Sequence, residues 1–169
     1  MYDVAILGAG AVGSVVGAVL NESGQKVLLV GRENHVNAIN EGGLEFRDAL
    51  QRETDSLEID AQVTLESADT VFLATKMPDV RAGLEQIRET APEATVVPLQ
   101  NGVRADDMAA DVIGRDHVVG GVALFGAEFL EPGVVTLSRP GTLLLGNPWG
   151  TSNEKVESVA GLFPHDDWL

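Results

Sequence analysis

The sequence contains no cysteine, which excludes disulfide bonds, thiolate nucleophiles and cysteine-ligated metal sites. It also has no run of about 18 apolar residues, the length that a helix needs to cross a membrane. The chain enters an apolar segment at Tyr2 without the basic region that precedes the apolar part of a signal peptide. These absences predict a cytoplasmic protein with no membrane partner.

Basic residues are also scarce in this sequence. Eleven lysines and arginines stand against 26 acidic residues, and the formal net charge is -15. So negative a chain is repelled by nucleic acid and by anionic lipid, and we expect neither as a partner. Its lysines are Lys26, Lys76 and Lys155. An acidic, lysine-poor composition is typical of proteins from a high-salt cytoplasm, a hypothesis that predicts loss of the fold on dialysis into low salt.

Short β-branched runs alternate with helical patterns along the first two thirds of the chain. The length of 169 residues and the hydrophobic content of 44% suit one globular domain. Alternating strands and helices are typical of right-handed βαβ units around a parallel sheet. The sequence therefore predicts an α/β fold with a doubly wound, mostly parallel sheet. The predicted strands are 2–7, 26–30, 70–75 and 95–99, and the predicted helices are 11–23, 34–41, 79–90 and 103–113.

The remaining segments carry other patterns. Within 42–63 apolar residues recur with a period near two, which predicts a hairpin or short strands in a crossover. The segment 118–145 is rich in glycine and β-branched residues, and Glu131-Pro132-Gly133 predicts a turn between antiparallel strands. We therefore expect an antiparallel edge on the sheet near the C-terminal part. A final helix is predicted over 151–162, with Ser152 as its cap.

A glycine motif follows the first predicted strand and opens the first predicted helix. It reads Gly8-Ala9-Gly10-Ala11-Val12-Gly13, the spacing of a Rossmann-type dinucleotide-binding turn. Gly8 allows the tight turn, Gly10 lets the backbone approach a pyrophosphate, and Gly13 permits close contact between helix and sheet. The free N–H groups and the positive end of the helix dipole then attract the phosphates. The alternative is that these glycines serve only the turn.

The second predicted strand ends at Val30-Gly31-Arg32. In proteins selective for NAD an acidic residue at this place accepts hydrogen bonds from the ribose 2′-OH. A small residue followed by arginine instead leaves room for a 2′-phosphate and offers a planar, permanently charged group to bind it. The sequence therefore predicts NADP(H) as the cofactor. The alternative is that Arg32 is a solvated cap or pairs with the adjacent Glu33.

Two more polar segments follow predicted strands at the edge where a ligand cleft should open. Thr75-Lys76 precedes Met77-Pro78, which holds the lysine on a loop above the sheet, within reach of a phosphate, a ribose hydroxyl or a substrate carboxylate. On spacing alone, Lys76 is explained equally well as a solvated surface charge. On spacing alone, Asn101 is better explained as a helix cap than as a site residue. The histidines, His35, His117 and His165, show no catalytic or ligand arrangement and are assigned no role.

Together these segments resemble the N-terminal domain of the ketopantoate reductase family, the 2-dehydropantoate 2-reductases of the route to coenzyme A. The resemblance covers nearly the whole chain and includes Gly31-Arg32, Thr75-Lys76, Gln100-Asn101-Gly102 and 141–146. It implies that the residues of the glycine motif, together with Thr75, hold NADP(H), with Arg32 on the 2′-phosphate. It also implies that Lys76 and Asn101 serve catalysis by positioning the nicotinamide ribose and a 2-keto acid substrate.

The resemblance further implies that part of an enzyme is missing. In this family the general-acid lysine and the carboxylate that holds the substrate hydroxyl come from a helical C-terminal domain, and residues 1–169 end about where that domain begins. We therefore expect the NADP(H)-binding domain of a reductase, inactive by itself. The alternatives are a related NADP-dependent dehydrogenase of another keto or hydroxy acid, and a stand-alone dinucleotide-binding module or redox sensor. The apolar end at Trp168-Leu169 could drive self-association into a homo-oligomer.

Overall fold

A computed structural model describes residues 1–48, 53–150 and 153–164 of the chain. The strands are β1 (Tyr2–Leu7), β2 (Val27–Val30), β3 (Leu44–Asp48), β4 (Glu53–Leu57), β5 (Asp60–Gln62), β6 (Ala68–Leu73), β7 (Thr95–Pro98), β8 (Gly120–Ala123), β9 (Gly126–Glu131), β10 (Val134–Arg139) and β11 (Leu143–Gly146). The helices are α1 (Ala11–Glu22), α2 (Glu33–Gly42), α3 (Val80–Thr90), α4 (Arg104–Ile113) and α5 (Glu154–Ala160). Within those described ranges, no helix has both the length and the apolar character that a membrane crossing requires.

A five-stranded parallel sheet forms the centre of the fold, in the order β5-β2-β1-β6-β7. Successive side chains of a strand point to opposite faces of the sheet. Val4 and Ile6 of β1 pack in a core with residues of α1 and α2, whereas Ala5 and Leu7 pack in a second core with residues of α3 and α4. Both faces are covered by helices, as a parallel sheet requires. The predicted doubly wound α/β fold is confirmed.

Helix α1 is buried on all sides. Residues 13–20 are all shielded from solvent. On one side Gly17 lies against Ile6 and Leu29 of the central sheet. The other side faces a second sheet, of order β4-β3-β10-β9, whose Phe46 and Val135 belong to the same apolar core as α1. A helix that is apolar all round belongs in a core, and α1 is accordingly held between two sheets.

The second sheet is built from two hairpins. Strands β3 and β4 pair antiparallel, which confirms the hairpin predicted within 42–63. Strands β9 and β10 also pair antiparallel, around the predicted turn, where Gly133 has a φ of 81°. Strand β10 then pairs parallel with β3 and joins the hairpins. Strand β5 follows the first hairpin and lies beside β2 in the central sheet.

The antiparallel strands predicted in the C-terminal part are confirmed, but they form no edge of the central sheet, whose strand pairs are all parallel among the described residues. Strands β9 and β10 belong to the second sheet, and β8 pairs with β11 in a third. A parallel bridge between Val96 and Val118 connects the third sheet to β7 at the edge of the central sheet. The physical reason for the second sheet is α1, because its outer apolar side has to be covered and the two hairpins cover it.

The predicted boundaries agree closely with the observed ones, since β1 has the predicted bounds and α1 begins at the predicted Ala11. Strand β6 ends at Leu73, earlier than predicted, so that Thr75 belongs to the following loop. Helix α5 lies within the predicted 151–162 and has Asn153 at its N-cap position. The predicted cap, Ser152, and the apolar end, Trp168-Leu169, lie outside the described residues.

A carboxylate at the start of α4 makes the stability of the fold depend on pH. Burial, with the charge of the adjacent Asp107, raises the pKa of Asp106 from 3.8 to about 6. Because the folded chain binds this proton more tightly than the unfolded chain, stability falls as the pH rises from about 4 to about 6. Asp106→Asn removes this penalty, and we expect its melting temperature at pH 8 to exceed that of the wild type by about 2–4 °C.

Thermal melts at pH 8 and pH 5 test this expectation. The gain should shrink at pH 5, where Asp106 is largely protonated in the folded chain. The matched control is Asp69→Asn, because Asp69 is exposed on β6 and its replacement should change stability by no more than about 0.5 kcal/mol. An equal gain at both pH values would show that the effect does not come from the ionised carboxylate.

Candidate functional site

A cleft of about 540 Å³ opens at the carboxyl ends of β1, β2 and β6. In open α/β sheets ligands bind at this edge. The lining includes seven residues that the sequence analysis selected: Gly8, Ala9, Gly10, Ala11, Arg32, Thr75 and Lys76. The other three selected residues, Val12, Gly13 and Asn101, do not line it.

A second and larger cleft, of about 730 Å³, lies at the opposite ends of the strands, where β2 and β5 begin, beside the end of α2. Its lining includes three carboxylates, Glu41, Glu58 and Asp60, against one basic residue, Lys26. A carboxylate-rich surface opposes an anionic ligand. The cleft at the carboxyl ends of the strands is therefore the better candidate for a phosphate-containing ligand, although its volume is smaller.

The glycine turn after β1 shapes one wall of the candidate cleft. Gly8 has a φ of 109°, a left-handed conformation that other residues rarely adopt. A side chain on Gly8 would lie 2.6 Å from the backbone nitrogen of Thr75. A side chain on Gly13 would collide with the carbonyl oxygen of Gly8 and lie 2.9 Å from Ile6. These two glycines let the turn and the helix pack against the sheet.

Gly10 differs from the other two glycines of the motif. Its backbone is extended, and a Cβ at this position would meet no protein atom within 4 Å. Packing of the protein therefore does not require glycine here. Gly10 lines the cleft, so a side chain at this position would take space from a ligand rather than from the fold.

The first turn of α1 presents its backbone N–H groups without a competing acceptor among the residues that the structure describes. The N-cap is Gly10, no side chain caps the helix, and no acidic residue lies in the first turn. The N–H groups at a helix start have no partner inside the helix, and here they belong to Ala11, Val12 and Gly13. Together with the helix dipole they form a site for an anion. Val12 and Gly13 can contribute to it through their backbone.

Arg32 lies at the end of β2, on the wall of the cleft next to the glycine turn. The guanidinium is exposed, and Arg32 forms no ion pair with Glu33 or with any other residue that the structure describes. Arg32 is the N-cap residue of α2, but its side chain makes no capping hydrogen bond. The ion pair with Glu33 that the sequence left open is therefore absent from the described part of the chain. The guanidinium is available to a ligand.

Lys76 and Asn101 lie on two neighbouring loops. Lys76 is exposed on the loop after β6, where it precedes a short 3₁₀ turn (Met77–Asp79) with proline near its start, as predicted. Asn101 is exposed on the loop after β7. Helix α4 has Val103 at its N-cap and no side-chain cap, so the interpretation of Asn101 as a plain helix cap is wrong. The structure brings Lys76 into the cleft and leaves Asn101 beside it.

Gln100 connects these two loops, a role that the sequence did not indicate. Its Nε2 donates hydrogen bonds to the carbonyl oxygens of Leu73, at 2.9 Å, and of Thr75, at 2.8 Å. Both acceptors belong to the end of β6 and its loop, whereas Gln100 follows β7. Such a contact depends on strand order, which the sequence predicted only in outline.

His35 also gains a role from the structure. Its ring is buried, lines the cleft and packs edge-on against Phe129 with ring centroids 4.7 Å apart. The Nδ1 accepts the backbone N–H of Gly133 at 2.9 Å, and Nε2 lies 3.3 Å from the Ser14 hydroxyl. Burial lowers the pKa of His35 and favours the neutral ring. His35 thus joins α1, α2 and the β9–β10 turn, which lie far apart in sequence.

Within the described ranges, no group of three or more histidine and carboxylate side chains is placed to hold a metal ion. His117 lies near the backbone of Ala94, with its Nδ1 at 3.4 Å from the carbonyl oxygen. His165 lies outside the described residues. What the cleft offers an anionic ligand is backbone N–H groups and the basic side chains Arg32 and Lys76.

Comparison with known proteins identifies the family. A family model described as ketopantoate reductase PanE/ApbA matches residues 4–149 of the chain. The chain belongs to the ketopantoate reductase PanE/ApbA family. This confirms the resemblance drawn from the glycine motif, Arg32, Lys76 and Asn101.

Relatives in this family are longer than the chain. The 2-dehydropantoate 2-reductase of Pyrococcus abyssi is 33% identical over 162 residues, which are 96% of this chain and 53% of that protein. The 2-dehydropantoate 2-reductase of Halobacterium salinarum is 32% identical over 164 residues, 95% of this chain and 54% of that protein. The chain thus spans about half the length of the curated relatives it matches.

Solved structures of the ketopantoate reductase type share the fold. The 2-dehydropantoate 2-reductase from Geobacter metallireducens GS-15 has a TM-score of 0.85 at 27% identity, over 95% of this chain and 54% of that one. A D-mandelate dehydrogenase, in a ternary structure with NADH and anilino(oxo)acetate, has a TM-score of 0.82 at 27% identity, over 94% of this chain and 52% of that one. Proteins of this fold thus include one solved with a nicotinamide dinucleotide.

Proposed function

We propose that residues 1–169 form the NADP(H)-binding domain of a cytoplasmic reductase that reduces a small 2-keto acid, with 2-dehydropantoate as the first candidate. The observation that carries the proposal is the uncapped N-terminus of α1, which faces the cleft beside a glycine whose Cβ would enter open space. Linked phosphates fit such a site, because N–H donors and the helix dipole both favour negative charge.

Most of the residues predicted from the sequence have a part in this proposal. Gly8 and Gly13 hold the turn against the sheet, and Gly10 leaves room for the pyrophosphate. Arg32 pairs with the 2′-phosphate of the adenosine half, since it stands at the end of β2 where selective residues are found. Thr75 and Lys76 lie on the other side of β1, where the nicotinamide half would extend, and Asn101 is one loop further along.

The reduced nicotinamide supplies a hydride to the keto carbon, but reduction of a 2-keto acid also requires a proton donor at the developing alkoxide. In the cleft His35 is a poor donor, because it is buried and has both ring nitrogens near protein partners, and Lys76 is assigned in this proposal to the nicotinamide half of the dinucleotide. In our proposal the donor belongs to the second half that the longer relatives possess. The chain alone should bind the dinucleotide and position its two halves without turning over substrate.

The test is a fluorescence titration of the chain with NADPH and, side by side, with NADH. We expect NADPH to bind at least about tenfold more tightly, the size of one charge-assisted interaction with the 2′-phosphate. With 2-dehydropantoate present, NADPH oxidation should stay far below roughly 1 s⁻¹, the low end of ordinary enzyme turnover. Failure of both dinucleotides to bind would refute the proposed site, and enzyme-like turnover would refute the need for a second half.

A second candidate is a related dehydrogenase acting on a different keto or hydroxy acid. The observation that favours it is the TM-score of 0.82 with the D-mandelate dehydrogenase. Both candidates predict dinucleotide binding by this chain, and substrate choice would be decided largely by the second half. A preference for NADH over NADPH in the same titration would move the assignment toward this second candidate.

A further inference from the structure

Gln100 stands between the two loops that carry Lys76 and Asn101. Its side-chain amide donates to the carbonyl oxygen of Thr75, the residue immediately before Lys76. Its own backbone immediately precedes Asn101. One side chain therefore fixes the distance between the two loops at the point where each begins to project from the sheet.

The orientation of this amide follows from its partners. Two carbonyl oxygens, of Leu73 and Thr75, face Nε2, and a carbonyl oxygen can accept only from an N–H or O–H donor. The Oε1 of Gln100 must therefore point away from them. It is buried there and has no partner among the described residues, and the same is true of the Thr75 hydroxyl.

The two hydrogen bonds stabilise the loops, but they leave the Oε1 of Gln100 buried without a partner among the described residues. The Leu73 carbonyl oxygen already accepts the backbone N–H of Leu99 at 2.9 Å, so one of the two hydrogen bonds is additional to the sheet. An unpartnered buried acceptor opposes folding. Residues that carry such a cost are expected where function fixes the geometry.

We propose that Gln100 is a positioning residue, which holds the Thr75–Lys76 loop at a set distance from Asn101 so that the two side chains grip the nicotinamide-ribose half of the dinucleotide. This rests on the proposed function. The two loops that Gln100 connects follow β6 and β7. Strand β1 lies between these strands and β2, at whose end Arg32 stands. The adenosine half should accordingly be indifferent to Gln100.

The test compares two ligands on the full 169-residue chain by isothermal titration calorimetry. The first is NADP⁺, and the second is 2′,5′-ADP, which has the adenosine half but no nicotinamide. Gln100→Met keeps the length of the side chain and removes both hydrogen bonds. We expect it to weaken NADP⁺ about tenfold and 2′,5′-ADP less than about twofold, because only the nicotinamide end loses its geometry.

Gln25→Met is the matched control. The Gln25 amide also donates to a backbone carbonyl oxygen, that of Leu162 at 3.4 Å, but it lies just before β2 at the far edge of the sheet. We expect both affinities to stay within about twofold of the wild type, since this edge does not touch the cleft. A tenfold loss of NADP⁺ affinity in Gln25→Met would show that the effect is not specific to Gln100 and would contradict the positioning role.

A second variant tests the hydrogen bonds themselves. In Gln100→Glu an ionised carboxylate has no donor for the two carbonyl oxygens, whereas a protonated carboxyl has one. The ratio of NADP⁺ affinity to 2′,5′-ADP affinity should therefore be low at pH 8 and recover in part at pH 5.5. The same ratio is measured on the wild type at both pH values, so that titration of the ligand phosphates, including the terminal 5′-phosphate of 2′,5′-ADP, is divided out. A general disturbance of the fold by the buried charge would lower both affinities at pH 8 and leave their ratio unchanged.

The outcomes separate this inference from the function on which it rests. If the wild type binds neither ligand, the proposed dinucleotide site itself fails. If the wild type binds both but Gln100→Met weakens them equally or not at all, the positioning role is wrong and the dinucleotide site stands. The positioning role is also wrong if wild-type NADP⁺ binds no more tightly than 2′,5′-ADP. Should Gln100→Met not fold, the pH series of Gln100→Glu decides.

Discussion

Arg32→Ala should lower the affinity of the chain for NADPH by about 10- to 100-fold and change its affinity for NADH by less than about threefold. The expected loss corresponds to roughly 1.5–3 kcal/mol, the contribution of hydrogen bonds between charged groups. NADPH and NADH differ only by the 2′-phosphate. The difference between the two losses therefore reports the contact between guanidinium and phosphate directly.

The physical case for Arg32 rests on its lack of other partners. The side chain is exposed on the cleft wall and makes no ion pair within the described part of the chain. Binding would thus not require an existing interaction to be broken. On a chain with a net charge of -15, the lining offers a dinucleotide two basic side chains, Arg32 and Lys76, against the single carboxylate of Asp79 among the residues described.

The control for Arg32 is Arg88→Ala. Arg88 is exposed in the last turn of α3 and is not part of the cleft. It changes the net charge of the chain by the same amount, so any long-range effect of charge should appear in both variants. If the preference for NADPH survives in Arg32→Ala, Arg32 does not bind the 2′-phosphate. If the preference falls equally in Arg88→Ala, long-range charge is responsible.

Gly10→Ala should change the stability of the fold by no more than about 1 kcal/mol, because the restricted unfolded chain favours alanine and the N-cap position favours glycine, and it should lower the affinity for NADPH and NADH alike by about tenfold or more. The backbone at Gly10 is extended and a Cβ there meets no protein atom within 4 Å, so the protein accommodates a methyl group. A pyrophosphate seated on the N–H groups of α1 would meet that methyl group. Thermal melts and the two titrations provide the measurements.

This prediction separates an anion site from a simple tight turn. If the glycine motif served the turn alone, Gly10→Ala would bind dinucleotides as the wild type does. Gly146→Ala is the matched control, because Gly146 at the end of β11 also has open space around its Cβ position and no positive φ. It should affect neither ligand. Gly13→Ala, in contrast, should destabilise the fold, since its Cβ would collide with the Gly8 carbonyl oxygen.

The central sheet and the glycine turn were predictable because their signals are local. Apolar runs bounded by glycine define β1 and β2, the glycine motif marks the start of α1, and helical spacing defines α3. The turn from β1 into α1 has a spacing that only a few structures use. Seven of the predicted site residues accordingly line one cleft.

What the sequence did not predict depends on contacts between distant residues. Strand β10 pairs with β3 from the other half of the chain, and no local pattern specifies that partner. The roles of Gln100 and His35 have the same origin, since Gln100 needs the neighbouring strand and His35 needs the β9–β10 turn. The distinction between Gly10 and its neighbours likewise requires the positions of surrounding atoms.

The burial of α1 between two sheets has a consequence for the speed of ligand capture. An exposed helix end frays, whereas residues 13–20 of α1 are enclosed and keep the first turn in one orientation. The anion-binding site is therefore preorganised, and little conformational entropy is lost when a dinucleotide binds. Encounter would be limited by diffusion and by the repulsion between two anionic molecules, and added salt should accelerate it.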